Sequence, residues 1–257
     1  MQDLKVTVVQ ANQLWEDKAG NLAHFEELLK QVPTDADIIV LPEMFHTGFS
    51  MRSAELAEDM DGQGINWLKM QAKHHQAALI ASIIIKEGGN FFNRMVFVAP
   101  DGSINHYDKR KLFGLANEDQ YYTAGKENTT VTYKGWKLLL QVCYDLRFPE
   151  IARNELAHDG TPCYDAIVYV ANWPEKRNLH WRSLLQARAI ENQVYVIAAN
   201  RVGTDANELS YSGDSSMIHP LGEVLAHHSN EEKVFSASLS KRILNDVREK
   251  LPFLKDR

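Results

Sequence analysis

The sequence has few cysteines, no long apolar run and no excess of basic residues. Two cysteines, Cys143 and Cys163, do not make a disulfide framework, so we expect a protein of a reducing compartment, the cytoplasm. No apolar run is long enough to cross a bilayer, and the first residues lead into a strand pattern without a signal-peptide core. The formal net charge of −6 leaves no basic footprint for nucleic acid. We therefore expect neither a membrane nor a nucleic acid as a partner.

Short motifs that bind metals or nucleotides are also missing from the sequence. It contains no His-x-x-x-His or Cys-x-x-Cys spacing, and adjacent pairs such as His74-His75 do not share a helical face. Neither a Gly-x-Gly-x-x-Gly segment nor a P-loop occurs, and there is no Gly-x-Ser-x-Gly elbow of a serine hydrolase. We predict a protein without a bound metal or cofactor.

What the sequence does have is an ordinary globular composition, with 44% hydrophobic and 24% charged residues in 257. No repeat or linker divides it, so we expect a single domain over residues 1–257. Helical periodicity predicts helices at residues 21–32, 64–75, 150–156, 179–191 and 240–249. Apolar runs predict strands at residues 4–9, 38–41, 79–85, 91–99, 103–107, 138–142, 166–170, 194–199, 215–218, 224–227 and 234–237. A βαβ beginning followed by hairpin signals favours mixed sheets over a purely parallel one.

The apolar run at residues 138–142 ends in Cys143, with Asp145 and Arg147 close behind it. Layered α/β proteins usually place active sites at such strand ends. A lone cysteine is otherwise often a small buried hydrophobe. That second interpretation suits Cys163 better, because it lies in a loop with no charged residues gathered around it.

Two more charged groups follow predicted strands. Glu43 comes just after the run at residues 38–41, where a carboxylate would point into a site at the strand end. A solvated loop glutamate is the alternative. Lys109 and Lys111 lie in a basic turn that is either solvated or holds one ammonium against a developing anion. Spacing does not choose between the two lysines, although Lys109 is nearer to the strand end.

Together these motifs resemble the nitrilase superfamily of carbon–nitrogen hydrolases. The matching segments run in the family's order over nearly the whole chain: LPE at 41–43, YDKR at 107–110, VCYDLRFP at 142–149, ARAIEN at 187–192, GDS at 213–215 and PLGE at 220–223. Segments 42–49 and 169–174 look most like bacterial omega-amidases, which hydrolyse the terminal amide of 2-oxoglutaramate and 2-oxosuccinamate. The expected fold is therefore α/β, a four-layer α-β-β-α sandwich with two mixed β-sheets, often paired through its helices into homodimers or larger homo-oligomers.

The resemblance also implies a role for each motif residue. Cys143 would attack the amide carbon and form a thioester, with Glu43 as the general base. Lys109 would stabilise the oxyanion, together with the backbone N–H of Tyr144. A nearby ammonium should also lower the pKa of the thiol. Glu118 matches a second family glutamate that orients the site, although its loop is equally compatible with a solvated side chain.

The choice of substrate depends on groups further from the cysteine. Because a 2-oxo acid amide carries a carboxylate, Arg147 is the first candidate to hold it. The alternative for Arg147 is a structural ion pair with Asp145 or Glu150. Trp173 is a candidate for the pocket wall, or else part of the core. An aliphatic amide, an N-carbamoyl amino acid or a nitrile remains an alternative to a 2-oxo amide. A catalytically silent binding scaffold is the rival of another class. The expected partners are a small amide and water.

Overall fold

Two β-sheets and five α-helices make up most of this computed structural model, which describes residues 2–257. The helices are α1 (Lys18–Leu29), α2 (Ser53–Leu56), α3 (Gln63–His75), α4 (Asn178–Asn192) and α5 (Lys241–Lys250). The strands are β1 (Leu4–Gln10), β2 (Ile38–Val40), β3 (Ala78–Glu87), β4 (Asn90–Val98), β5 (Ile104–Asp108), β6 (Thr129–Tyr133), β7 (Trp136–Val142), β8 (Ala166–Ala171), β9 (Tyr195–Asn200), β10 (Val202–Thr204), β11 (Ser210–Ile218), β12 (Val224–Ser229) and β13 (Lys233–Leu239). None of the helices in this described range is long and apolar enough to cross a bilayer.

Both sheets are mixed, with parallel strands in the middle and antiparallel strands outside. The first sheet has the order β13-β1-β2-β3-β4-β5, in which β1, β2 and β3 are parallel. The second has the order β10-β11-β9-β8-β7-β6, with β12 paired to β11, and its parallel strands are β7, β8 and β9. The hairpin joining β3 to β4 was predicted from its Gly-Gly-Asn turn.

The two sheets pack face to face through one apolar cluster. Val6 and Val8 of β1 belong to it together with Leu138 and Leu140 of β7, and all four side chains are fully buried. Successive residues of a strand point to opposite faces, so every second residue of each strand supplies this layer. Burial of one such side chain contributes roughly 1.5–3 kcal/mol.

The outer face of each sheet is covered by helices. Ile39 of β2 packs with Phe25 of α1 and Leu68 of α3, while Ile167 of β8 packs with Trp181 of α4. The middle strands are thus buried on both faces, which explains their unbroken apolar runs. The predicted four-layer α-β-β-α sandwich with two mixed sheets is confirmed.

The helix predicted at residues 150–156 is wrong. A 3-10 turn, Pro149–Ala152, occupies its start, and no α-helix follows it there. The reason is the buried Asn154, whose backbone N–H donates to the side chain of Asn192 at 2.9 Å instead of to a preceding carbonyl. Its side-chain amide donates to the Tyr164 carbonyl oxygen at 3.1 Å. Long-range hydrogen bonds therefore override the local amphipathic pattern.

Strands β6 and β10 were not predicted. Each is at an edge of the second sheet, and neither carries the apolar run that marks the central strands. An edge strand buries only part of its surface, so its sequence carries a weak signal.

The fold brings several strand ends together. Glu43 follows β2 by three residues, while Cys143 and Asn172 come immediately after β7 and β8. These three strands lie in the parallel central parts of the two sheets, and Lys109 follows β5 of the first sheet. The carboxyl ends of parallel strands are the usual place for a site in an α/β protein.

Candidate active site

Three buried charged side chains form what we call the charge cluster: Glu43, Lys109 and Glu118. The ammonium Nζ of Lys109 lies 3.0 Å from Oε1 of Glu43 and 2.9 Å from Oε2 of Glu118. Glu43 and Glu118 are fully buried and Lys109 is 1% exposed. Glu118 is therefore not the solvated loop residue that the sequence left open. Buried charges need such partners, because an isolated one costs several kcal/mol.

Asn93 of β4 holds the charge cluster together from one side. Its side-chain amide donates to Oε1 of Glu43 at 2.7 Å, and its backbone oxygen accepts from the N–H of Lys109 at 3.0 Å. The carbonyl oxygen of Lys109 in turn accepts from the N–H of Gly125 at 2.9 Å. The side-chain amide of Asn93 also donates to Oε1 of Glu118 at 3.4 Å, and Oε2 of Glu118 accepts from the N–H of Phe113 at 2.6 Å.

Asn172 fixes Glu43 from the second sheet. The backbone N–H of Asn172 donates to Oε2 of Glu43 at 2.8 Å, and its side-chain amide donates to the backbone oxygen of Glu43 at 2.6 Å. The side chain of Gln13 also donates to that backbone oxygen, at 2.9 Å. Glu43 thus bridges the two sheets, so its carboxylate is set by the packing of both.

Cys143 lies at the turn that follows β7, beside the charge cluster. It is the first residue of the 3-10 segment Cys143–Arg147 and has a left-handed backbone with φ of 46°. A non-glycine residue held in this region costs about 1–3 kcal/mol and is often found at functional sites. Both the carboxylate of Glu43 and the backbone N–H of Asn172 act on the thiol, the first raising its pKa and the second lowering it.

Asp145 holds the turn that carries Cys143. Its carboxylate accepts from the N–H of Val142 and the hydroxyl of Tyr107, at 2.9 and 2.8 Å, and from the N–H of Lys111 at 2.9 Å. These donors flank both Cys143 and Lys109 in the sequence. Burial raises the pKa of Asp145 to about 6, although the three donors oppose that change.

The pKa of the Cys143 thiol is raised well above its ordinary value. Burial is the main cause and the negative charge of Glu43 adds to it, whereas the Lys109 ammonium acts in the opposite direction. The expectation of a lowered thiol pKa is therefore wrong in sign, although the contribution of the ammonium is as expected. Resting Cys143 is therefore a protonated thiol at neutral pH.

Two members of the charge cluster, Lys109 and Glu118, also have displaced pKa values. Burial opposes ionisation of Lys109, but the carboxylates of Glu118 and Glu43 outweigh it and raise the pKa of Lys109. Burial raises the pKa of Glu118, with repulsion from Glu43 adding to the effect and attraction to Lys109 opposing it. Lys109 is therefore a permanent cation at neutral pH.

The structure distinguishes Lys109 from Lys111, between which the sequence could not choose. The Nζ atom of Lys111 lies 3.5 Å from a carboxylate oxygen of Glu150 and 4.6 Å from the ring centroid of Phe148. It lies outside the charge cluster that Lys109 enters. Residues two apart would share a face in a regular strand, but β5 ends at Asp108 before either lysine. Beyond it the backbone N–H of Lys109 is held by the carbonyl oxygen of Asn93 and that of Lys111 by the carboxylate of Asp145, so the two side chains part.

An open cavity of about 560 Å³ leads to Cys143 and Lys109. Aromatic side chains form much of its wall, among them Phe49, Tyr144 and Trp173. The ring of Phe49 also lies 5.0 Å from Nζ of Lys109. Pockets of this kind, largely apolar with a few convergent polar groups, suit a small organic ligand.

Arg147 lines this cavity and does not form the structural ion pair that was its alternative role. Its guanidinium lies 5.0 Å above the ring centroid of Trp173, and one nitrogen is 3.0 Å from Nδ1 of His180. Asp145 is occupied by other donors, and Glu150 pairs with Lys111. Within residues 2–257 no carboxylate lies within 4 Å of the Arg147 guanidinium.

Trp173, which the sequence left between pocket wall and core, belongs to both. It is 3% exposed and packs against Trp181, with the ring centroids 5.5 Å apart, yet it also lines the cavity. Cys163 is exposed, so its interpretation as a buried hydrophobe is wrong. It lies in the loop between the 3-10 turn Pro149–Ala152 and β8.

Asn93 and Asn172 were not predicted as site residues. Asn93 and the adjacent Arg94 interrupt the apolar stretch of β4, and that break in the pattern was a usable signal. Asn172 ends the apolar run of β8 in the same way that Cys143 ends β7. Their partners, however, come from distant parts of the chain, which local patterns do not reveal.

Several known proteins resemble this chain over most of its length. The sequence model of the carbon-nitrogen hydrolase family matches residues 5–248. The chain is 43% identical to the omega-amidase YafV of Escherichia coli, over 100% of this chain and 97% of that protein. It is 34% identical to the 2-oxoglutaramate amidase of Bacillus subtilis, over 92% of this chain and 90% of that protein. A crystal structure of a CN-hydrolase superfamily protein from Xanthomonas campestris, with an arsenic adduct in its active site, superposes with a TM-score of 0.98; the two are 40% identical, over 100% of this chain and 98% of that one.

Proposed function

The chain belongs to the carbon–nitrogen hydrolase family, and from that premise we propose that it is an amidase acting on 2-oxo dicarboxylic acid monoamides. Its substrates would be 2-oxoglutaramate and 2-oxosuccinamate, which it converts to the 2-oxo acid and ammonia. The relatives described as omega-amidase and 2-oxoglutaramate amidase support this choice over other amides.

One observation carries the proposed chemistry: Cys143 and Lys109 line the same cavity, and Nζ of Lys109 lies 3.0 Å from the carboxylate of Glu43, whose charge acts on the Cys143 thiol. A nucleophile, a base and a fixed cation therefore share one point at the end of the cavity. This combination is what acyl transfer from an amide requires, and it argues against a catalytically silent scaffold.

In the first half of the reaction, Glu43 takes the proton of the Cys143 thiol and the sulfur attacks the amide carbon. A C–S bond forms, and the negative charge on the former carbonyl oxygen is stabilised by the Lys109 ammonium and the N–H of Tyr144. Collapse of this intermediate breaks the C–N bond, and the nitrogen receives the proton from Glu43 and leaves as ammonia. A thioester on Cys143 remains.

In the second half, water replaces the departed ammonia. Glu43 takes one proton from the water as its oxygen attacks the thioester carbon, and the same cation stabilises the second oxyanion. Collapse breaks the C–S bond, releases the carboxylic acid and returns the proton to the sulfur. Glu118 does not exchange protons in this scheme but holds the ammonium of Lys109 in place.

The carboxylate of the substrate would be held by Arg147, with Trp173 and Tyr144 as apolar walls. Arg147 is suited to this role because its guanidinium faces the cavity without a carboxylate partner among residues 2–257. N-carbamoyl amino acids also carry a carboxylate, so Arg147 by itself does not separate them from 2-oxo amides.

Ammonia release from a panel of amides tests the proposal. The panel contains 2-oxoglutaramate, 2-oxosuccinamate, glutamine, an aliphatic amide and an N-carbamoyl amino acid, each with the wild type, Cys143→Ala and Cys163→Ala. We expect activity confined to the 2-oxo amides, lost by at least about 10,000-fold in Cys143→Ala and retained in Cys163→Ala.

Each other result of the panel has a definite meaning. Activity on another member would keep the mechanism but change the substrate. Equal activity in the wild type and Cys143→Ala would show that Cys143 is not the nucleophile. If no member of the panel releases ammonia, the alternative of a catalytically silent binding scaffold would be favoured.

The family resemblance also leads us to propose a homodimer in the cytoplasm. Apolar side chains are exposed on α4, where Leu179 is 64% and Ile190 is 50% exposed, and on the adjoining hairpin, where Val224 is 56% exposed. A second copy would cover this face. The molar mass measured by light scattering should be twice the chain mass of 29.2 kDa. Ile190→Asp should shift the measured mass toward that of the monomer. A monomeric wild type would refute the dimer.

A further inference from the structure

The carboxylates in the wall of the cavity are already occupied by other partners. Glu16 accepts from the hydroxyl of Ser50 at 2.5 Å and from the guanidinium of Arg52 at 2.7 Å. Asp205 accepts from the hydroxyl of Tyr211 at 2.8 Å. Neither acid pairs with the two other arginines that line the cavity.

Those two arginines are Arg147 and Arg177, which we call the arginine pair. Arg177 ends the 3-10 turn Glu175–Arg177 that precedes α4, and its guanidinium lies 5.4 Å above the ring centroid of Phe113. Within residues 2–257, that guanidinium has no ion pair within 4 Å and no hydrogen bond. It is held by an aromatic face and is half-buried, so a substrate in the cavity can reach its N–H groups.

Both members of the pair are anchored to the same indole ring. The guanidinium of Arg147 lies above the face of Trp173, while the indole N–H of Trp173 donates to the backbone oxygen of Arg177 at 2.8 Å. Two unpaired cations on one wall repel each other, and an anion between them relieves that repulsion. Each guanidinium presents a planar set of donors that matches a carboxylate.

We propose that Arg177 is a specificity-determining residue that binds the carboxylate of the substrate together with Arg147. This inference rests on the proposed function, because it names how that site distinguishes charged from neutral amides. Trp173 sets the position of both guanidiniums and follows Asn172, which holds Glu43, so the anion site is built onto the same strand end as the reacting groups.

The test uses a pair of amides that differ only in charge. Succinamate has a carboxylate where succinamide has a second amide, and both can bind without turnover in a Cys143→Ala background. In that background we expect Arg177→Gln to lower the affinity for succinamate by about 10- to 100-fold. The affinity for succinamide should change by less than about threefold. Arg177→Lys should restore part of the loss, because it keeps the charge without the planar fork. Lys176→Gln, an exposed neighbour, is the matched control and should change neither affinity.

Calorimetry then gives a clear decision. The inference is overturned if Arg177→Gln leaves the affinity for succinamate unchanged or lowers the affinities for both amides equally. It is also overturned if the Cys143→Ala variant binds succinamate no more tightly than succinamide. Steady-state kinetics with 2-oxoglutaramate adds a second readout, in which Arg177→Gln should raise KM with little change in kcat. Failure of the proposed function has a different signature, since the wild type would then release no ammonia from 2-oxo amides whatever the binding data show.

Discussion

Cations occupy two different settings around the cavity. In the charge cluster, the ammonium of Lys109 is almost fully buried and lies within 3.0 Å of two carboxylates. In the arginine pair, the guanidiniums of Arg147 and Arg177 lie above the rings of Trp173 and Phe113 and meet no carboxylate within residues 2–257.

The difference between these settings separates chemistry from recognition. A buried charge with fixed partners keeps one ionisation state and one position, which suits a group that must meet a short-lived oxyanion. A half-buried cation that lies against an aromatic face and has no carboxylate partner keeps donors for a ligand. The following predictions test this contrast, from the largest expected effect to the smallest.

Glu43→Gln should separate the reactivity of the thiol from catalysis. Without its general base the enzyme should lose about 100- to 10,000-fold in kcat. Removing the negative charge should at the same time lower the pKa of Cys143, because that charge contributes to the raised pKa. Alkylation at neutral pH should therefore become faster while hydrolysis becomes slower.

A Cys163→Ala background ensures that alkylation reports Cys143 alone. Slower alkylation in Glu43→Gln would contradict the assigned cause of the thiol pKa. Unchanged kcat would remove Glu43 from the role of base.

Lys109→Ala should lower kcat at least a few hundred-fold, because an oxyanion donor contributes about 3 kcal/mol to the barrier. It should also destabilise the fold by about 3–5 kcal/mol, since two buried carboxylates lose their cation. Lys111→Ala is the matched control, because its ammonium pairs only with the exposed Glu150. Steady-state kinetics and denaturant unfolding measure both effects. Equal losses in the two variants would show that the two settings do not differ.

Asp145→Asn should change how stability depends on pH. Folding raises the pKa of Asp145 from 3.8 to about 6, so between these values the native state binds a proton that the unfolded state has released. The wild type therefore loses stability as the pH rises from about 4 to 6, whereas the amide side chain of the variant cannot titrate. The free energy of unfolding of the wild type minus that of the variant should fall by up to about 3 kcal/mol across this range and stay level above it.

Urea unfolding of both proteins at several pH values measures this difference. A difference that rises over the same range would mean that the three donors to Asp145 outweigh its burial.

Much of the fold was predictable because strands buried on both faces leave unbroken apolar runs, and the ends of two of those runs marked Glu43 and Cys143. The conformation of residues 150–156 was not predictable, because the N–H of Asn154 donates to the side chain of Asn192 instead of to a helical carbonyl. Such a bond joins residues far apart in the chain, and local periodicity carries no information about it.

The sequence by itself determined which chemical groups stand at the strand ends, since the alternation of apolar runs, helical stripes and turns is written locally. Only the tertiary structure decided that Lys109 rather than Lys111 enters the site, that the pKa of Cys143 rises, and that Arg147 is without a carboxylate partner in the described chain. The physical reason is that burial and electrostatic interaction depend on distances between segments remote in sequence. Those distances exist only once the two sheets have packed.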